Sequence, residues 1–170
     1  MNVEPDQAVP ADPSAQQRLA ILRRTRSIAI VGMSADPSRA SYFVGTYLLS
    51  SSCSFEHVWF VNPKGGEILG RPVYRSLAEL PGVPDLVDVF RRSEDLPAVA
   101  EEVVALGGAR TFWAQLGLRS DDAGRICAAA GLDAVMDRCL KIEHARFAGG
   151  LHLAGFDTGV ISSRRRPSLA

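Results

Sequence analysis

The sequence has little cysteine and no long hydrophobic run. Its three cysteines lie far apart, form no CxxC pair and accompany histidines that have no zinc-ligand spacing. We therefore expect a reduced, cytoplasmic protein without a metal site. No apolar run approaches the roughly 18 residues that a transmembrane helix needs. The acidic, proline-rich N-terminus lacks the basic and then apolar layout of a secretory signal.

The sequence also lacks an excess of charge. Its 19 lysines and arginines balance 19 aspartates and glutamates, so the formal net charge at pH 7 is zero. Such a molecule is not attracted as a whole to nucleic acid or to a membrane, and we expect neither as a partner. Lysine is scarce, since only Lys64 and Lys141 occur, and both lie in segments that other observations mark as functional.

The sequence does contain an alternation of strand and helix patterns. Apolar runs typical of strands lie at 27–32, 57–63, 85–92, 110–117 and 133–137. Helical patterns lie at 14–25, 41–51, 93–108, 120–132 and 140–147. Ser14 and Ser93 are candidate N-caps for two of these helices. Strands that alternate with helices predict an α/β, Rossmann-like, three-layer fold with a mainly parallel sheet of about five strands.

The composition divides the chain into three parts. Residues 1–13 are rich in proline, aspartate and alanine, which favours a disordered lead. Residues 14–147 form the predicted domain, in which segment 64–82 reads as a loop with a short extended piece. Residues 148–170 have no firm period, and we expect an irregular tail that contains glycines and a solvated run of arginines.

The stretch "IAIVGMSADPSRASY" (28–42) begins like the dinucleotide-binding fingerprint G-x-G-x-x-G and then departs from it. Gly32 fits the first glycine, whereas Ser34 and Pro37 occupy the other two positions. Gly32 still permits a sharp turn after the strand. Backbone N–H groups around Met33 and Ser34, together with the start of the following helix, are suited to a diphosphate.

Side chains near this turn are suited to phosphate as well. The hydroxyls of Ser34 and Ser41 can donate hydrogen bonds, and Arg39 can make a bidentate contact. Each residue also has a plainer interpretation: Gly32 as an ordinary turn, Ser41 as a helix N-cap and Arg39 as a solvated loop residue. The location of the whole set favours a site, because open α/β sheets bind ligands at the carboxyl edge of their strands.

The second predicted strand ends with Asn62, Pro63 and Lys64. An NAD site would have an acid here to hold the ribose hydroxyls. A lysine favours a ligand with an additional phosphate on its ribose. That ligand is coenzyme A or, as the rival, NADP.

Three further segments end at the same predicted edge. The third strand ends at Arg91 and Arg92, and the fourth ends at Gln115 and Gly117. The fifth is followed by a dense polar run that comprises Asp137, Arg138, Cys139, Lys141, Glu143 and His144. The alternative interpretation of Asp137 and Glu143 is a salt-bridged start of the last helix.

Taken together, the segments "VGMS", "VNPK", "DVFRR", "QLG" and "MDRCLKIEH" resemble those of the CoA-binding protein family. These are single-domain relatives of the CoA-binding domain of the succinyl-CoA synthetase alpha subunit. The resemblance covers about residues 20–147. It implies a Rossmann-like sheet that holds coenzyme A at its C-terminal edge. The predicted cofactor-binding residues are Gly32, Met33, Ser34, Arg39, Ser41, Asn62, Pro63, Lys64, Arg91, Gln115, Gly117, Arg138 and Lys141.

The resemblance implies binding of coenzyme A or an acyl-CoA without an identified reaction, because the phosphohistidine domain of the synthetase lies outside it. One alternative is an NADP-dependent oxidoreductase, although no tyrosine has a lysine four residues on. Another is acyl transfer or thiol exchange through Cys139, and a third is an interaction module whose site is vestigial. An exposed sheet edge leaves a homodimer open.

Overall fold

The computed structural model describes residues 8–148, and this part of the chain contains five α-helices and seven β-strands. In chain order they are α1 (Ala15–Arg24), β1 (Ser27–Val31), α2 (Ala40–Leu48), β2 (His57–Val61), β3 (Glu67–Ile68), β4 (Arg71–Tyr74), β5 (Leu86–Val89), α3 (Leu96–Ala105), β6 (Thr111–Ala114), α4 (Asp121–Ala129), β7 (Asp133–Val135) and α5 (Leu140–Ala148). Two short 3-10 turns lie at Leu77–Glu79 and Ser93–Asp95.

The strands form one sheet in the order β3-β4-β2-β1-β5-β6-β7. Every neighbouring pair is parallel except β3 and β4, which form an antiparallel hairpin. The Rossmann-like α/β fold is therefore confirmed, with seven strands where about five were expected. The two additional strands come from segment 64–82, where β3 and β4 pair with each other and β4 pairs with β2 through Val73 and Phe60. Only Ile68 and Val73 are buried among their six residues, so no apolar run marks these strands in the sequence.

The strand order reverses beside β1. The chain first moves outward from β1 to β2 and β4, and it then returns to place β5 on the other side of β1. Such a reversal is the topological switch point of an open α/β sheet, where the crossovers diverge to opposite faces and leave a crevice at the carboxyl ends of the strands.

Helices cover both faces of the sheet. On one face, Ile30, Phe60 and Trp113 pack with apolar residues of α1, α2 and α5. On the other face, Val87 and its neighbours pack with α3 and α4. This alternation along buried strands produces the three layers that the sequence predicts.

Local signals at the helix ends were confirmed in part. Ser14 caps α1 in a capping box with Gln17, as an N-cap serine followed by glutamine three residues on should. The prediction for Ser93 was wrong, since residues 93–95 form a 3-10 turn and α3 begins after Asp95. The Ser93 hydroxyl oxygen instead accepts a hydrogen bond from the backbone N–H of Arg119 at 3.2 Å.

The predicted lead is packed where the structure describes it. The Asp12 carboxylate contacts Arg119 at 2.7 Å, and the Pro13 carbonyl accepts a hydrogen bond from Arg18 at 2.7 Å. Asp12 and Pro13, at the end of the predicted disordered lead, therefore contact the domain. Residues 1–7 and the predicted tail from 149 onward lie outside the described residues.

A buried ion pair joins the first helix to the last. Arg18 Nε lies 2.9 Å from Glu143 Oε2, and the two side chains are 4% and 2% exposed. Glu143 thus belongs to a salt bridge, as the alternative interpretation of the polar run held. Because both charges are out of water, each depends on the other for its solvation.

We expect Glu143→Ala to lower the free energy of unfolding by about 3–5 kcal/mol, because it leaves Arg18 buried without its counter-charge. Urea denaturation measures this loss. The double variant Arg18→Leu/Glu143→Leu should recover most of the stability, since it removes both charges. Glu56→Ala breaks the exposed pair with Arg26 and serves as the control, with an expected loss of at most about 1 kcal/mol. A Glu143→Ala loss no larger than this control would contradict the argument.

Candidate functional site

The end of β1 lies against the end of β5. Gly32 has a φ of +83°, and a Cβ at this position would lie 2.2 Å from the carbonyl oxygen of Phe90. The backbone N–H groups of Gly32 and Met33 both donate to the carbonyl of Val61, at 3.0 and 3.2 Å. Glycine is thus required here by the close approach of two strand ends as well as by the turn.

The loop that follows Gly32 is held by its own polar groups. The Ser34 N–H donates to the Ser41 hydroxyl at 3.0 Å, and the Asp36 N–H donates to the Ser34 hydroxyl at 3.1 Å. Hydrogen bonds from the backbone and side chain of Ser38 lower the pKa of the Asp36 carboxyl. The N–H groups of Met33 and Ser34, expected to face a diphosphate, therefore already have partners in the protein.

The start of α2 offers different donors. Arg39 is the N-cap residue and its side chain makes no capping hydrogen bond, whereas Ser41 is buried inside the first turn. The N-cap interpretation of Ser41 was therefore wrong. The first N–H groups of a helix have no partner within the helix and carry the positive end of its dipole. This uncapped start lies beside a cavity that Ala40 and Ser41 help to line.

The cavity has a volume of about 710 Å³ and lies where β1, β5 and β6 end. Its polar wall comprises Ser34, Arg39, Ser41, Arg91, Arg92, Asp95 and Gln115. Its apolar wall comprises Phe43, Val44, Phe90, Leu116, Leu118 and Ile142, beside Cys139. Three arginines face one aspartate, so the lining carries a net positive charge.

Two of the three cavity arginines are only loosely paired. Arg39 Nε lies 3.9 Å from Asp36, and Arg91 lies 3.8 Å from Asp95. Arg92 is paired more closely, with Glu94 at 2.9 Å and Asp95 at 3.3 Å, but it is largely exposed. Ion pairs that remain exposed to water contribute little stability. A dianionic ligand can therefore compete for these guanidinium groups.

The mouth of the cavity is apolar. Phe43, Leu116 and Ile142 are 59%, 66% and 44% exposed, and they account for half of the large apolar side chains that lie exposed in the described residues. Lys141 Nζ lies 3.5 Å from the centroid of the Phe43 ring, so it stacks on a side chain that lines the cavity.

Six of the predicted site residues line the cavity: Gly32, Ser34, Arg39, Ser41, Arg91 and Gln115. The Met33 side chain is buried in the core. Arg138 offers its carbonyl to the Trp113 indole at 2.8 Å, and Gly117 donates its N–H to Asp137 at 2.6 Å. These three residues and Lys141 support the cavity walls without lining them.

The segment 62–64 forms a turn beside the loop after β1. Asn62 Nδ2 donates to the Met33 carbonyl at 2.8 Å, and Asn62 Oδ1 accepts the N–H of Lys64 at 2.9 Å. Pro63 and Lys64 are exposed. The turn is thus tied to the cavity loop, although none of its residues lines the cavity.

Behind the cavity wall lies a residue that sequence reasoning missed. Asp88 of β5 is completely buried, and its Oδ1 accepts a hydrogen bond from Gln115 Nε2 at 2.5 Å. Asp88 Oδ2 is buried without a hydrogen-bond partner. Burial raises the pKa of this carboxyl to about 8, although the bond from Gln115 opposes the shift. The available signal was an aspartate inside the apolar run "DLVDVF".

Cys139 lies on the cavity wall, but His144 is engaged elsewhere. His144 Nδ1 lies 2.9 Å from the Tyr47 hydroxyl and 3.8 Å from the Cys53 sulfur. Burial lowers the pKa of His144. The geometry therefore supplies no nucleophile–base pair from Cys139 and His144, as the spacing of the two residues predicts.

No helix in residues 8–148 is both long and apolar enough to cross a bilayer.

Comparisons with known proteins agree with this architecture. Residues 26–145 match the family described as CoA binding domain. The chain is 40% identical over 134 residues to the uncharacterized protein YneT of Bacillus subtilis (strain 168), a match that spans 79% of this chain and 96% of YneT.

Two solved structures are also similar over most of their length. One is a protein from Thermus thermophilus, 34% identical, with a TM-score of 0.71 and coverage of 79% of this chain and 99% of that one. The other is a hypothetical protein from Pyrococcus horikoshii OT3, 31% identical, with a TM-score of 0.72 and coverage of 86% and 97%. The family match at residues 26–145 includes the strand ends that surround the cavity.

The buried carboxyl of Asp88 should make stability depend on pH. Between its ordinary value of 3.8 and about 8, the folded protein holds a proton that the unfolded chain releases. The free energy of unfolding should therefore fall as the pH rises through this window, by about 1.4 kcal/mol per pH unit, and level off above it. Urea denaturation from pH 5 to 9 measures this slope.

Asp88→Asn should remove this contribution and flatten the profile between pH 5 and 8, because asparagine does not titrate there. Asp122→Asn, an exposed substitution in α4, should leave the slope as in the unmodified protein. Parallel profiles for Asp88→Asn and the unmodified protein would show that Asp88 does not titrate in this window.

Proposed function

Because the chain belongs to the CoA binding domain family, we propose that it binds coenzyme A or an acyl-CoA in the cavity at the carboxyl edge of its sheet. One observation carries the proposal: a cavity at the topological switch point combines a cationic wall with an apolar mouth. Coenzyme A has the same division, since its phosphates are anionic and much of its pantetheine arm is apolar.

The diphosphate of coenzyme A has suitable donors on the polar wall. Arg39 and Arg91 line the cavity, and a guanidinium can make two parallel hydrogen bonds to phosphate oxygens. The uncapped start of α2 adds N–H groups and the positive end of a helix dipole. These donors take the place of the loop N–H groups that already have partners.

The turn at 62–64 is the proposed position of the ribose 3′-phosphate. Asn62 ties this turn to the Met33 carbonyl, so its position relative to the cavity loop is defined. Lys64 is exposed at the edge of this region. A lysine in this place favours a phosphorylated ribose, whereas a site for the free ribose hydroxyls of NAD would have an acid here.

The apolar mouth is the proposed path of the pantetheine arm. Phe43, Leu116 and Ile142 are large and exposed, and a monomeric protein seldom leaves such side chains clustered unless they bind something. Cys139 lies on the same wall, which favours thiol exchange or acyl transfer as a second candidate. Since His144 is engaged with Tyr47 and Cys53, it does not serve as a base for that thiol, and binding without a reaction is the function that we propose.

Calorimetry with coenzyme A, dephospho-CoA and NADP should show the tightest binding for coenzyme A and weaker binding for dephospho-CoA, which lacks the 3′-phosphate. NADP should bind weakly, because the loop after Gly32 lacks the second and third glycines of the fingerprint. Tighter binding of NADP would favour the oxidoreductase. Binding of none of the three would favour an interaction module and contradict the proposal.

Lys64→Ala should weaken the binding of coenzyme A by roughly 1.5–3 kcal/mol, because coenzyme A carries the 3′-phosphate. The binding of dephospho-CoA, which lacks this phosphate, should be almost unchanged. Arg39→Ala should weaken both ligands alike, since both contain the diphosphate. Arg110→Ala is the matched control, because it removes a positive charge at the opposite, amino edge of the sheet. Equal losses of both ligands in Lys64→Ala would place the 3′-phosphate elsewhere.

A further inference from the structure

Asp88 is a polar residue in a place where the fold requires an apolar one. It lies on the interior strand β5, opposite Ile30 of β1 and Trp113 of β6, and it is completely buried. The other three residues of the strand are Leu86, Val87 and Val89. An unpartnered polar oxygen in such a place costs about 1–3 kcal/mol. The carboxyl therefore does not serve the packing of the sheet.

The one hydrogen bond that the structure gives the Asp88 side chain connects it to the cavity. Gln115 Nε2 donates to Asp88 Oδ1 at 2.5 Å, and Gln115 itself lines the cavity while it is 5% exposed. Gln115 follows β6 directly, so its backbone is held at the end of the sheet. One side chain thus contacts the buried carboxyl on one side and the cavity on the other.

This contact fixes the orientation of the Gln115 side-chain amide relative to the cavity. A side-chain amide has donors only on nitrogen and acceptor lone pairs on oxygen. Because one Nε2 hydrogen is committed to Asp88, the orientation of the amide is defined and Oε1 is left as its acceptor, to which no side-chain hydrogen bond is found within residues 8–148. Asp88 Oδ1 can accept the hydrogen bond whether the carboxyl is ionised or carries its proton on Oδ2.

We propose that Asp88 is a positioning residue: it holds the amide of Gln115 so that Oε1 accepts a hydrogen bond from an amide N–H of a pantetheine arm in the cavity. The inference rests on the proposed function and adds to it the chemistry of one contact. Leu116, next in the chain, belongs to the apolar mouth along which that arm would lie. The phosphate donor Arg39 belongs to the loop after β1, which is a separate part of the wall.

Binding of coenzyme A and of adenosine 3′,5′-bisphosphate, which lacks the pantetheine arm, separates this contact from the nucleotide contacts. Gln115→Ala should lower the affinity for coenzyme A by roughly 3- to 10-fold, the range expected for one neutral hydrogen bond. The affinity for the bisphosphate should be unchanged. An equal loss for both ligands, or no loss for coenzyme A, would overturn the assignment.

The role of Asp88 is tested by a double-mutant cycle. Asp88→Leu removes the acceptor for Gln115 and should lower the affinity for coenzyme A to a similar degree. Asp88→Asn keeps an acceptor oxygen and should retain this affinity. Asp88→Leu/Gln115→Ala should be no weaker than Gln115→Ala alone, because Asp88 acts only through Gln115. Additive losses, or a loss in Asp88→Asn equal to that in Asp88→Leu, would contradict the positioning role.

The outcomes distinguish this inference from the function on which it rests. If the unmodified protein does not bind coenzyme A, the proposed function fails. If it binds coenzyme A and the losses of affinity in the cycle are additive, the proposed function is retained and the positioning role of Asp88 is rejected. Urea denaturation of each variant shows that it is folded at the temperature of the binding measurement. Should Asp88→Leu not fold, the cycle is run with Asp88→Ala, and additive losses there overturn the role of Asp88 in the same way.

Discussion

The close approach of two strand ends at Gly32 is the constraint on which the rest of the site depends. Its φ is +83°, and a Cβ added here would lie only 2.2 Å from the Phe90 carbonyl oxygen, so this position accepts no side chain. The approach brings β1 and β5 together at their carboxyl ends, while their following segments diverge to opposite faces of the sheet. The cavity is the space that this divergence leaves, and its wall is built from whatever follows each strand.

The first part of that wall differs from a dinucleotide-binding turn in how it satisfies its own backbone. Ser34, Asp36, Ser38 and Ser41 exchange hydrogen bonds within the loop, so the loop holds its shape without a ligand. The polar groups left for an anion are then the start of α2 and the arginines. A glycine inside α2 contributes to this arrangement, because Gly45 leaves room for the Met33 side chain beneath the helix.

How far the sequence predicts this structure depends on the range of the interactions involved. Local patterns of burial and capping predict five of the strands and the Ser14 cap, and these lie where the sequence places them. They do not predict the hairpin of β3 and β4, because only Ile68 and Val73 are buried among its six residues and no apolar run marks it. The prediction for Ser93 failed because its hydroxyl bonds Arg119, 26 residues away.

Local sequence patterns predict the site less completely than the fold. Six of the residues that line the cavity could be named from their positions at or after the ends of predicted strands, since parallel strands end at one edge. Asp88 could not, because it lies inside a strand and reaches the cavity only through Gln115, 27 residues further on. A buried carboxyl weakens the fold unless hydrogen bonds compensate for its burial, and only one oxygen of Asp88 has such a bond. The cost of burying Asp88 is thus an argument that the orientation of Gln115 matters to what enters the cavity, since the packing of the sheet alone would favour valine or leucine there.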